Sequence, residues 1–200
     1  MNLECDILAK HVEKYIDNRV IVVNKTGGAG LIGHTYLATV AANDGYTVGI
    51  IANPFFLTDE ILRSKGSFSW KAMEALGFIT ADPTTWIVKS PGPLKDKSIK
   101  DVIEMAKQNP DTLKIAIVPE SAFQFLQEDV QISAGTKLRS VPSQGGKPGV
   151  TALLGGHVDI ATGYLGEYRN NLEAGQVKVL AISAPERSPL FPGVPTFNEV

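Results

Sequence analysis

The sequence predicts an α/β fold of two lobes built on mainly parallel sheet. Short apolar runs alternate with amphipathic stretches along the whole chain. Two glycine-rich loops, Asn24–Gly33 and Pro142–Pro148, each follow an apolar run and precede a helical pattern. They stand in different halves of the chain, as two similar lobes require.

The elements follow in order. Ile7, Leu8, Val12, Tyr15 and Ile16 share one side of an opening helix. Val20–Val23 reads as a strand entering the first glycine loop. Ile32, Tyr36, Leu37 and Val40 fall on one face of the helix that leaves it, to about Ala42. Asn43-Asp44-Gly45 is a turn. Tyr46–Ala52 is a strand stopped by Asn53-Pro54, a short helix spans 55–64, and Gly66–Trp70 is loop. Ala75–Ile79 and Thr85–Val88 read as strands split by Asp82-Pro83, and Ser90–Pro93 is a rigid connector. Ser98 caps a helix with Asp101 three positions on, an acidic form of the capping box, and Ile99, Val102, Ile103 and Ala106 make its buried face. After the Asn109-Pro110 stop come a buried strand Leu113–Val118, a helix Ser121–Ser133 ended by Ala134-Gly135, and a short strand Leu138–Val141. Pro148 suits the first turn of the helix after the second glycine loop. Gly155-Gly156 ends that helix, Val158–Thr162 is a strand, a helix runs to Ala174-Gly175, and Val177–Ile182 is the last strand.

The first glycine loop sets the chemistry. Glycines let backbone N–H groups point at one spot without Cβ interference, and the following helix adds its unpaired N–H groups and the positive end of its dipole. Phosphate and carboxylate both suit that geometry. Gly28–Gly33 spells the dinucleotide fingerprint G-x-G-x-x-G, yet the next strand ends at Asn53-Pro54 without the ribose-binding acid a nucleotide site needs. A tight turn with no ligand is the plain reading of the same residues.

Composition excludes several classes. Of 200 residues, 44% are hydrophobic and 20% charged, and the net charge is −2, so no nucleic-acid or membrane-surface partner is indicated. No apolar run has the length of a membrane span. Cys5 is the lone cysteine, which excludes an internal disulfide framework. His11, His34 and His157 share no metal-ligand spacing and read as surface or helix-end residues. There is no nucleophile elbow, so no catalytic residue, metal or cofactor is read. Asp44 and Arg187 read as structural, and Trp70 and Trp86 as packing residues. A helix begins almost at once after Met1, without signal peptide or strand before it, and the last residues start another, so both ends are expected to be cut.

Four pieces carry a resemblance. Val22-Val23-Asn24 with Gly27–Gly33 resembles a V-x-N-x-x-G-A-G-G-x-x-G loop, and Asp44-Gly45-Tyr46-Thr47 a D-G-Y-T turn. Pro148–Asp159 is similar to a P-A-V-T-A-L-L-G-G-x-V-D run, and Arg187-Ser188-Pro189, Pro192, Val194-Pro195-Thr196 and Glu199 to an R-S-P…P-x-V-P-T-x-x-E tail. In this order, over nearly the whole chain, they resemble the tripartite tricarboxylate transporter receptors, the Bug or TctC-like extracytoplasmic solute receptors. The resemblance implies a type II periplasmic-binding-protein fold, two lobes closing on a small carboxylate, and no catalysis. It implies crossings near Pro83–Lys89 and Ile182–Pro185, so that residues 1–84 with 184–200 form an incomplete lobe and 85–183 the other. It also implies an extracytoplasmic, periplasmic location and membrane transporter subunits as partners. The chain departs from the pattern in three places. The first strand and its glycine loop before Asp6 are absent, the turn after 113–118 is Val118-Pro119-Glu120-Ser121, and Ser143-Gln144 stands where the family has Tyr-Lys or Tyr-Arg.

Gln144, Gly145 and Gly146 lead the candidate ligand contacts, against a plain turn; amides and a side-chain donor hold a carboxylate directly or through water. Gly28, Ala29 and Gly30 are their counterparts in the first loop. Ser121 donates to ligand or caps its helix, the capping role being favoured. Asp6 orients a ligand amine or the absent first loop, or is a plain first-turn acid. Asn53 follows a strand end, where a cleft residue sits, and an Asn-Pro turn explains it as well; Thr162 and Gly163 follow another strand end with the same two readings. The leading function is a non-enzymatic receptor for a small organic acid or amino-acid-like carboxylate. The alternatives are a dinucleotide-dependent enzyme using Gly28–Gly33, and an inactive fragment that forms a homo-oligomer through exposed sheet edges.

Overall fold

A computed structural model describes residues 2–27, 30–52, 55–63 and 69–200. The chain divides into two compact units, residues 1–77 and 78–200.

The first unit carries helices α1 (Asn2–Val12), α2 (Leu31–Thr39) and the single turn α3 (Phe55–Thr58), which runs into a π-turn at Asp59–Arg63, and a 3₁₀ turn at Trp70–Ala72. The opening helix stops at Val12 rather than Ile16, and Tyr15 and Ile16 are exposed. The strands expected at 20–23, 46–52 and 75–79 are not formed. Apolar β-branched runs mark segments able to pair, but a strand exists only where a neighbour completes its ladder. Among the described residues, no backbone hydrogen bond joins these runs to another segment, and Ile21, Val23, Val48 and Leu76 face solvent. Asp44 Oδ1 accepts from the Tyr46 amide at 3.0 Å, which fixes the expected turn. Trp70, expected to pack, is largely exposed.

His34 corrects the sequence reading. It lies inside α2, only 8% exposed, with Nδ1 2.6 Å from Oδ2 of the fully buried Asp59. Arg63 Nη1 donates to the other carboxylate oxygen at 3.0 Å. A carboxylate removed from water needs such partners. The π-turn thereby fastens to α2 through one charge.

The second unit is a five-stranded sheet ordered β3-β2-β4-β1-β5. The strands are β1 (Thr85–Lys89), β2 (Lys114–Ile117), β3 (Arg139–Pro142), β4 (Ile160–Gly163) and β5 (Val177–Ile182). β2 pairs parallel with β3 and β4, whereas β1 runs antiparallel between β4 and β5. Four strands therefore share one direction and β1 opposes them. Helices α4 (Ile99–Gln108) and α5 (Ala122–Ala134) contribute to one core layer; α6 (Gly146–Leu154) and α7 (Leu165–Glu173) contribute to the other. Strands β1, β2 and β4 alternate between layers: Trp86 and Val88, Ile115 and Ile117, and Ile160 join the α4/α5 core, while Ile87, Ala116 and Ala161 join the α6/α7 core. Burial on both faces explains why these strands read as continuous apolar runs.

The resemblance motifs have structural work within this unit. Asp159 Oδ2 accepts from the Lys114 amide at 2.8 Å, tying β4 to the start of β2. Gly156 turns the chain at φ 74°, where a side chain is strained. Arg187 Nε grips both Glu199 carboxylate oxygens, at 3.0 and 2.9 Å, and Nη1 donates to the Pro192 carbonyl. The expected capping box forms as read: the Asp101 amide donates to Ser98 Oγ at 3.2 Å and the Ser98 amide to Asp101 Oδ2 at 2.7 Å.

Tyr168 gives an alkaline test of the α6/α7 core. Its hydroxyl donates to Thr85 Oγ1 at 2.8 Å, and burial pushes the phenol from 10 up to about 12. A raised value in the folded state means the stabilisation is complete below pH 10 and is lost as pH rises through about 12. The loss across that window is about 2–3 kcal/mol. Denaturation midpoints followed from pH 9 to 12 (roughly the range in which tyrosine titrates) should fall more steeply for the natural protein than for Tyr168→Phe. Parallel curves would refute the assignment.

Candidate functional site

The parallel strands β3, β2 and β4 end at one edge of the sheet, and the loops that leave them carry most of the second-unit candidates. Ligands of open α/β sheets bind outside such carboxyl ends. The Ser143 amide donates to the Ile117 carbonyl at 2.7 Å, joining the end of β2 to the loop after β3. Ser143 Oγ donates to the Gly145 carbonyl at 2.7 Å and so braces the loop from within. Gly145 then stands as N-cap of α6 without a side-chain cap, which leaves the first-turn amides to be met by something else. Gln144 is exposed, Gly145 half-buried and Gly146 buried. Gly149 brings α6 close onto β2: a Cβ there would stand 3.3 Å from the Ala116 methyl.

The other candidates at this edge are already engaged. Ser121 is 4% exposed; its Oγ accepts from the Phe123 amide at 3.1 Å and donates to the Val118 carbonyl at 2.6 Å, so it caps α5. Thr162 is buried and its hydroxyl donates to the Ala116 carbonyl at 2.8 Å. The Gly163 carbonyl accepts from Thr85 Oγ1 at 2.7 Å. The turn before Ser121 keeps a left-handed residue, Glu120 at φ 57°, where the resemblance has glycine.

One residue at this edge escaped the sequence reading. The Glu167 carboxylate, in the first turn of α7, lies against the α-carbon of Gly146, and a Cβ on Gly146 would collide with it. Glu167 Oε2 accepts from the Tyr164 amide at 2.9 Å. Burial, with Glu167 beside it, raises the Tyr164 phenol above its ordinary value. Only the spacing Tyr164-x-x-Glu167, a helix-start signal, hinted at it in the sequence.

In the first unit, Gly30 at φ 111° is the N-cap of α2, again without a side-chain cap, and its amide donates to the Gly27 carbonyl at 3.0 Å. A Cβ on Gly30 would stand 2.9 Å from His34 Cε1, so glycine admits the buried imidazole behind the loop. Lys25 Nζ lies 3.7 Å from the centre of the Tyr36 ring. Gly28, Ala29 and Asn53 lie outside the described residues. Asp6 is exposed on α1. Among the described residues, no group of three or more His, Cys, Asp or Glu could hold a metal ion.

Comparison with known proteins adds the relatives. The sequence profile described as "Tripartite tricarboxylate transporter family receptor" matches residues 6–200. Protein BugT of Bordetella pertussis is 29% identical over 197 residues, covering 97% of this chain and 60% of that protein. The crystal structure of a TctC solute binding protein from Polaromonas superposes with a TM-score of 0.82 at 24% identity, over 98% of this chain and 66% of that one. MatC from Rhodopseudomonas palustris, with bound malate, gives 0.73 at 21% identity, over 98% and 67%. The chain thus spans about three fifths of a curated relative, 60% of BugT.

Proposed function

The chain belongs to the tripartite tricarboxylate transporter receptor family, and from that premise we propose that it is an extracytoplasmic solute receptor. It captures a small carboxylate-bearing ligand and delivers it to the membrane subunits of a tripartite transporter, without catalysing a reaction. The observation that carries this reading is the loop before α6: amides without a side-chain cap, at the carboxyl edge of three parallel strands, beside a buried glycine. Such amides suit a carboxylate and need no reacting side chain. The lobe division at Pro83–Lys89 and Ile182–Pro185, the periplasmic location and the remaining ligand contacts belong to the same proposal.

Thermal denaturation with a panel of malate, other dicarboxylates, amino acids and aromatic acids, and with NAD(P) as the competing arm, tests it. A true ligand at a hundredfold excess over its Kd should add about 2.7 kcal/mol, a rise of roughly 5–10 °C for a chain of this size. No shift with any acid would refute the receptor reading, and a shift with NAD(P) alone would replace it with the dinucleotide reading.

A further inference from the structure

We draw no further inference here: the strongest candidate, the apolar groove of about 410 Å³ between α4, α5 and the tail turn at Phe197, carries nothing, because nothing in the structure shows what covers it.

Discussion

Asp59→Ala is expected to cost the first unit about 3–5 kcal/mol, the loss typical of removing one partner from a buried charge pair. Asp59 is fully buried, and its two oxygens serve different donors: Oδ2 meets His34 Nδ1 at 2.6 Å and Oδ1 meets Arg63 Nη1 at 3.0 Å. Truncation leaves the imidazole nitrogen without this acceptor in a site that is only 8% exposed, and leaves a guanidinium beside the space without its carboxylate. Asp59→Asn keeps the shape and one acceptor oxygen but turns an N–H₂ group toward the second donor, so its cost should be intermediate. Hydrogen exchange at the α2 amides reads the first unit directly. Protection there should collapse in Asp59→Ala while the β2 and β4 amides keep theirs. A loss under about 1 kcal/mol, or an equal loss in both units, would show that the charge cluster does not hold this unit together.

The sequence made much of the second unit readable, and the reason is physical. Its strands β1, β4 and β5 are buried on both faces, several of its helices have strong boundary residues, and its turns need particular ones. Ser98 with Asp101, Gly135 at φ 62° as the stop of α5, and Gly145-Gly146 opening α6 are all local devices, visible within a few residues of sequence. The β1 strand was legible as an apolar run, but its antiparallel place between β4 and β5 was not, since pairing partners far away in the chain, such as Val88 and Ile160, leave no local mark. In the first unit the same apolar signal at 20–23, 46–52 and 75–79 announced strands that the described residues do not form. Periodicity reports what a segment can pair with, and pairing needs a second segment.

The candidate site shows the same division. The glycine loops were chosen because backbone N–H clusters require glycine. Ser121 was found in its capping role, and its bond to the Phe123 amide is that role. Thr162 was chosen for standing at a strand end, yet its hydroxyl is spent on the Ala116 carbonyl, a contact between strands that no spacing encodes. His34 was read as peripheral because its partner, Asp59, lies 25 residues further on, in another element. Glu167 escaped for a different reason: as a first-turn acid it needed no further role, and only the packing of α7 against the loop before α6 places it beside Gly146.

Trp86→Ala should be among the most damaging single substitutions in the second unit, at about 3–5 kcal/mol. Trp86 is 0% exposed and packs edge-on against Phe197 with ring centres 5.2 Å apart, inside the α4/α5 core. Deleting the indole removes that contact and leaves a void too enclosed for its neighbours to fill completely, because β1 is held by ladders on both sides. Trp86→Phe separates two parts of the cost. The indole Nε1 is buried and has no hydrogen-bond partner among the described residues, so its removal forfeits none of those bonds and relieves a desolvated donor. The remaining cost is the smaller cavity, at about 24 cal/mol per Å³ of space left. Trp86→Phe should therefore cost about 1–2 kcal/mol, well below the truncation to Ala. Urea denaturation followed by circular dichroism, which does not depend on the lost tryptophan, gives both values. A Phe variant as unstable as the Ala variant would mean that Nε1 makes a bond worth keeping. A mild Ala variant would mean that the Trp86–Phe197 contact does not anchor the tail to this core.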